Sequence, residues 1–304
     1  MTSDSNKQGS ATGEVLINPE GTLLGSVNAI LTGTNRHYYV PDFEGCISIK
    51  SVVSGSAMWE TNGRKFVVHE NNYLILNDRQ RYTITMESAL PSTTFCLFFK
   101  RGLVEDVFRT SITRTTKLLD SPHAPPSVNF WERLETHEDG VLELMRSLRT
   151  KLNAASGNEV DFEEDFYRVA AQILKIHLDL PEKLARLPAV RAATREELFR
   201  RLLLGRDFIL SSLDSRISLN NIASVACLSP FHFHRAFTRT FGETPHQYLT
   251  RHRLERACYL LRQNGHSILE ICLDCGFESP GTFSSLFKRH FGLSPKAFQK
   301  QMSL

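Results

Sequence analysis

The sequence predicts an α+β chain of two domains. An antiparallel β barrel with a helical segment after it comes first. An all-α domain follows, made of two helix-turn-helix units joined by a linking helix. Three observations carry this. The last third of the chain repeats: Ser229-Pro230, Phe233, Phe237, Phe241-Gly242, Thr244-Pro245 and Tyr248 return 50 residues later as Ser279-Pro280, Phe283, Phe287, Phe291-Gly292, Ser294-Pro295 and Phe298. Ahead of each Ser-Pro the offset is one shorter, so that Leu219, Ile222-Ala223 and Ala226 answer to Ile268, Ile271-Cys272 and Cys275. A repeat of roughly 50 residues is a supersecondary unit used twice. Upstream, residues 36–100 alternate with the period of short strands. Between these regions the apolar period becomes helical.

In the β region the predicted strands are His37–Val40, Ile47–Ile49, Ala57–Thr61, Lys65–Val68, Tyr73–Leu76, Tyr82–Thr85 and Phe95–Phe99. Their β-branched and aromatic content and their spacing suit an all-β barrel or sandwich. Asn62-Gly63 predicts a two-residue hairpin, because a type I′ turn needs positive φ at both central positions. Ser121–Pro126 reads as a linker. Beyond it, Val141, Leu142, Met145, Leu148 and Leu152 form one helical stripe, and Phe162, Phe166, Val169, Ala170, Ile173 and Ile176 to Leu178 form another. These helices are expected to pack on the barrel or on a second copy of the chain. A second linker, Leu180 to Pro188, precedes Thr194-Arg195-Glu196-Glu197, a capping-box pattern expected to open the first C-terminal helix. The expected domains are a flexible arm over 1–30, the barrel over 31–125, a helical dimerisation and linker segment over 126–187, and the paired helix-turn-helix domain over 188–304.

Each C-terminal unit reads as helix, tight turn and second helix. Ser229 and Ser279 are good N-caps, and the prolines after them suit the first helical position, where no N–H is needed. Phe233, Phe237 and Phe241 face inward on one second helix, and Phe283, Phe287 and Phe291 on the other. Such a stripe is core whatever the function. The outward face of the first unit shows Phe231, His234, Arg235, Thr238 and Arg239. Residues near the start of a recognition helix reach base edges in the major groove. Arg235 suits bidentate contact with guanine, His234 suits an adjacent acceptor, and Thr238 and Arg239 suit phosphates. In the second unit Gly281, Thr282, Ser284 and Ser285 are short, so Lys288 and Arg289 are expected to anchor the helix while few bases are specified. Between the units, Pro245 to about Asn264 reads as one helix closed by Gly265. Roughly 20 residues at 1.5 Å rise give about 30 Å, near the groove period of about 34 Å on one face of DNA.

Totals agree with that division. The formal net charge is +3, but residues 195–304 hold 15 basic against 9 acidic side chains, leaving 21 and 24 in the rest. The basic excess lies where phosphate neutralisation requires it. No apolar run approaches the length of a membrane span, and Met1 to Gly13 lacks the features of a signal peptide. Six cysteines at irregular spacing suit reduced thiols, hence a cytoplasmic chain. Cys272-Leu273-Asp274-Cys275 has metal-pair spacing, but its cysteines answer to Ala223 and Ala226 and are expected to be core. His232 and His234, two apart on a helix, point apart, and His232 is expected to pack or bond locally. His37, His69 and Glu70 lack the pattern of a metal-dependent barrel. No catalytic residue, metal or cofactor is expected. No P-loop, Gly-x-Ser-x-Gly or dinucleotide fingerprint occurs.

Residues 219–299 closely resemble the DNA-binding domain of the AraC/XylS family of bacterial transcription regulators. The residues that carry the resemblance include Ile222-Ala223, Leu228-Ser229, Phe233, Arg235, Phe237, Phe241-Gly242, Pro245, Tyr248, Arg251, Arg253-Leu254, Ala257, Leu260-Leu261, Ile268, Gly276-Phe277, Phe283, Phe287-Lys288 and Phe291 to Pro295. Residues 36–120 look like the cupin-type sensing barrel common in that family. The resemblance implies a seven-helix reading domain, a homodimer, promoter DNA and RNA polymerase as partners, and a small-molecule effector in the barrel. It places base contacts on Phe231, His234 and Arg235, and in the second unit on Pro280, Gly281, Thr282, Ser284 and Ser285. Many relatives carry an arginine where this chain has Ser285, and several carry a histidine near Tyr82. Trp59, Arg36 and Tyr38 are candidates to line a cavity or to serve as packing and surface. Two other readings stay open: a regulator whose barrel only oligomerises or contacts polymerase, and a metal-dependent barrel enzyme tethered to DNA.

Overall fold

A computed structural model of the chain describes residues 15–113, 128–154, 161–179, 192–263 and 266–302. It divides into two compact units, residues 1–179 and 180–304. The two linker segments read from the sequence lie outside the described residues, as do residues 1–14.

The first unit is built on one sheet of eight strands: β1 (Val15–Ile17), β2 (Asn28–Glu44), β3 (Ser48–Ser54), β4 (Ser56–Thr61), β5 (Arg64–His69), β6 (Asn72–Leu76), β7 (Arg81–Phe98) and β8 (Leu134–Thr136). The order is β1-β2-β7-β3-β6-β8, with β4 paired to both β5 and β7. All pairings are antiparallel except β1 on β2. The sheet curls into a nearly closed barrel because long β7 serves two halves. Its residues 83–85 pair with β4, while its far end pairs with β3. The predicted hairpin is present: Thr61 pairs with Arg64, and Asn62 and Gly63 take φ of 49° and 72°.

Four expectations need correction here. The arm 1–30 is not all arm, since β1 pairs with Asn28–Ile30 and buries Val15; three residues are too short a run to show a period. Tyr82–Thr85 and Phe95–Phe99 are not separate strands but parts of β7. Within β7, Ser88 to Pro91 make an irregular excursion opposite the register shift between Asn35 and His37, a place where the missing N–H of Pro91 is tolerated. Helix α1 (Leu103–Thr113) was not foreseen, and β8, inside the supposed helical segment, completes the sheet edge beside β6.

Period-two alternation splits the barrel side chains between two environments. Ile47, Ile49, Tyr73, Ile75, Phe95, Leu97 and Phe99 point to one face. There they meet α1, α2 (Val141–Ala154) and α3 (Glu163–Leu178) through Val104, Leu142, Met145, Leu148, Phe166, Val169 and Ile173. Each such aromatic or aliphatic side chain contributes about 1.5–3 kcal/mol by leaving water. The helical stripes are therefore spent on the sheet except at Leu178, which was expected to close the second stripe but stands exposed on α3 beside the outward Tyr167. Intervening residues such as Lys50, Leu74, Leu76, Cys96 and Phe98 are buried on the opposite face.

The second unit holds α4 (Ala192–Ser211), α5 (Leu219–Val225), α6 (Pro230–Phe241), α7 (Pro245–Arg262), α8 (Ile268–Asp274), α9 (Pro280–Phe291) and α10 (Pro295–Met302). Seven helices are thus present among its described residues. Thr194 lies inside α4, not ahead of it, so the expected capping box does not start that helix. Helix α7 ends at Arg262 with Gln263 as C-cap; Asn264 and Gly265 lie outside the described residues. Its 18 residues give about 27 Å, somewhat shorter than expected.

Candidate nucleic-acid interface

The repeat seen in the sequence persists down to individual hydrogen bonds. Ser218 caps α5 by accepting from Asn221 N at 3.2 Å, while the Asn221 side chain accepts from Ser218 N at 2.9 Å. Ser267 and Glu270 do the same for α8, at 3.2 and 2.7 Å. Reciprocal caps of this kind satisfy two N–H groups that a short helix otherwise leaves open. After α5 the chain turns at Cys227, with φ of 51°, and Leu228 N donates to Ala223 O. After α8 it turns at Gly276, with φ of 71°, and Phe277 N donates to Cys272 O. The turn needs a left-handed residue, and only the second unit uses glycine for it.

Ser229 Oγ then accepts from His232 N to open α6, and Ser279 Oγ accepts from Thr282 N to open α9. The buried faces are fixed by ring contacts. Phe237 lies 5.3 Å from Phe233, 4.4 Å from Phe241 and 5.4 Å from Tyr248. Phe287 lies 5.7 Å from Phe283, 4.6 Å from Phe291 and 5.7 Å from Phe298. Phe241 and Phe291 end each stripe only half-buried. Helix α4 comes close to α6 because Gly205 leaves room for the Phe233 ring, which a Cβ would overlap. Cys272 and Cys275 are fully buried like Ala223 and Ala226, and among the described residues no cluster could hold a metal ion. Both lie in the core cluster of the unit, the place expected for them.

Fixing one face of α6 presents the other. Phe231 is 76% exposed, and His232, His234, Arg235 and Arg239 are exposed as well. His232 is therefore on the surface and not packed. Thr238 is half-buried, and its hydroxyl donates to the His234 carbonyl at 2.8 Å, which weakens the expectation that it holds a phosphate. On α9, Gly281, Thr282, Ser285, Lys288 and Arg289 are exposed. Ser284 is half-buried, and Thr282 Oγ1 is tied to Ser279 Oγ at 3.0 Å. The structure thus brings Phe231, His234 and Arg235 together near the start of one helix, and Lys288 and Arg289 near the end of the other.

The ion pairs sharpen this. Arg200, Arg201, Arg216 and Arg251 each have a carboxylate partner within 4 Å. Arg253 donates to the Leu213 and Ser215 carbonyls at 2.8 and 2.6 Å. Among the described residues no ion pair engages Arg235, Arg239, Lys288 or Arg289. The exposed faces of α6 and α9 therefore carry cations that no carboxylate of the described residues neutralises, where an anionic polymer can use them. Two cations were missed by sequence reasoning. Lys296 and Lys300 stand exposed on α10, and their i,i+4 spacing is a signal that could have found them.

In the first unit the supposed cavity residues separate. Trp59 is buried, whereas Arg36 and Tyr38 are exposed on β2 and line no interior. His37 is exposed and His69 buried.

A family model described as a helix-turn-helix domain matches residues 222–301. The chain is 36% identical over 93 residues to a protein of Photobacterium leiognathi named as a probable transcriptional regulator, LumQ, covering 31% of this chain and 38% of that one. It is 25% identical over 245 residues to the HTH-type transcriptional activator RhaS of Klebsiella pneumoniae, covering 81% and 82%. Some of the matches with higher identity span only about a third of the relative's own length. Among solved structures, a regulator from Chromobacterium violaceum with an AraC-type DNA-binding domain matches at 29% identity over 37% of this chain and 97% of that one, with a TM-score of 0.32. ToxT of Vibrio cholerae matches at 13% identity over 90% and 98%, with a TM-score of 0.36.

Proposed function

From a second unit that is an AraC-type helix-turn-helix domain, we propose that this chain is a sequence-specific regulator of transcription that binds promoter DNA through α6 and α9. The observation that carries the reading is the face of α6. Phe233 and Phe237 are locked into the core, so Phe231, His234 and Arg235 are held outward near the helix start without a competing carboxylate. Such a helix enters the major groove with its early residues at base edges. Arg235 reads a guanine there, His234 donates to a neighbouring acceptor, and Phe231 packs on a thymine methyl. Arg239, Lys288 and Arg289 hold phosphates and set the register. Helix α7, about 27 Å long, keeps the two reading helices near one groove period.

The first unit is proposed to bind a small-molecule effector and to pair two copies of the chain. An effector acts only through a differential affinity for two arrangements of the protein. Contact with RNA polymerase completes the proposal. The test is competition in gel shifts by the full-length protein, with a selected duplex against random duplexes. Preference for the selected duplex that persists as salt is raised supports sequence reading. Equal competition by all duplexes contradicts it. For the effector, thermal-shift screening of metabolites against the full chain is the measurement; a chain that no metabolite stabilises is an effector-independent regulator.

A further inference from the structure

The barrel interior contains a charge with no counterion. Lys50 sits mid-strand on β3 and is 1% exposed, on the face opposite Ile49. Its Nζ donates to the Tyr82 hydroxyl at 2.9 Å and lies 3.7 Å from the centre of the Phe98 ring and 4.4 Å from that of Tyr82. An ammonium has three N–H groups, and one is committed here. The ring faces attract the cation but accept no full hydrogen bond.

The titratable neighbours do not neutralise it. Burial pushes the Cys46 and Cys96 thiols up, so both are uncharged near neutrality, and burial likewise raises the Tyr82 phenol. Among the described residues no carboxylate lies within ion-pairing reach of Lys50. Burial accordingly pushes its ammonium down to about 8, which still leaves it charged at neutral pH. A methionine would fill the same space without that cost, because a buried ion stabilises a fold only when it is well paired. Around it the interior is apolar and aromatic: the register sets Trp59 beside Phe66 and Ile84, on the face that carries Tyr82.

We propose that the barrel interior is a binding site for a small organic carboxylate, with the carboxylate held by Lys50 Nζ and the Tyr82 hydroxyl and the apolar body lying among the aromatic side chains. This rests on the reading of the barrel as a sensor and names the chemistry of what it senses. The bound anion supplies the missing counterion, and the remaining ammonium N–H groups gain acceptors. Loading the site shifts the local charge from positive to neutral, which gives the effector a grip on the sheet.

The experiment uses the full chain and four probes, butyrate, octanoate, benzoate and phenylacetate, each against its own primary amide, by calorimetry. At least one acid is expected to bind about tenfold or more tighter than its amide, the effect of one charge-assisted pair. Lys50→Met should abolish that difference while unfolding in urea at the same or a higher concentration, which shows an intact fold. Tyr82→Phe should weaken the acid by a few fold only. Acid affinity should also fall as pH rises through the Lys50 titration, while amide affinity stays flat. Equal binding of acid and amide, unchanged acid binding by the Lys50→Met variant, or no acid bound at about 10 mM, a ceiling near 3 kcal/mol of affinity, overturns the proposal. If amides or other neutral metabolites bind in those cases, the barrel still senses and only its carboxylate chemistry is wrong. If nothing binds here and no metabolite stabilises the chain in the thermal-shift screen, both readings fall.

Discussion

The two helix-turn-helix units share a frame and differ on the surface that the frame presents. Their caps, turns and aromatic stacks correspond residue by residue, from Ser218 and Ser267 through Phe237 and Phe287. The exposed faces do not. The first unit places Phe231, His234 and Arg235 at its helix start, whereas the second places Gly281, Thr282 and Ser285 there and concentrates Lys288 and Arg289 at its end. Packing constrains one side of each helix and leaves the other free to diverge. Under the proposed reading, one unit discriminates and the other holds.

Breaking the shared frame should cost most, and equally in both units. Phe237→Ala and Phe287→Ala each remove a fully buried ring at the centre of a stack and should lose about 3–5 kcal/mol in urea unfolding. Unequal losses would show that the frames are not equivalent. The turns should then separate the units. A Cβ at Gly276 overlaps the Leu213 carbonyl and the Arg253 guanidinium in left-handed backbone. Gly276→Cys should therefore cost about 3 kcal/mol, a clash added to the conformational penalty. Cys227→Gly relieves strain at φ of 51° and should change stability by less than about 1 kcal/mol.

Smaller effects lie on the surface and should not alter folding. Arg235→Ala should relax preference at one base pair by about 1–3 kcal/mol, read by competition between duplexes that differ at that pair. Lys288→Ala should weaken all duplexes alike and lower the slope of log affinity against log salt by about 1. The finest probe is Ser285→Arg, which should add base preference in the second half of the site and leave the first half unchanged. If Lys288→Ala altered sequence preference and Arg235→Ala did not, the division of labour would be reversed.

Much of this frame was legible because its signals are redundant. Ser-Pro starts, Phe at four-residue spacing and Gly after each stack all recur, and each has its own physical cause. The Asn62-Gly63 hairpin was readable for the same reason. What escaped was carried by context. Cys227 takes a left-handed turn that its residue type does not announce, and only its alignment with Gly276 betrays it. Tyr82–Thr85 and Phe95–Phe99 read as two strands because a sequence does not show where one long strand passes through an irregular stretch. Thr194 resembled a cap, yet α4 had begun two residues earlier. In the barrel, Ser48-Ile49-Lys50-Ser51-Val52 did hold a clue. Period two puts Lys50 on the side opposite Ile49, but the sequence alone does not say that both sides are buried.

The account stands on α6 presenting Phe231, His234 and Arg235 to base edges while its other face is locked in the core. Selection of binding sites from random duplexes, with the full chain and its Arg235→Ala variant side by side, tests this most directly. The predicted result is one shared consensus in which a single position, a guanine in the wild type, becomes degenerate in the variant. Identical consensus sequences from both proteins, or none from either, would contradict it.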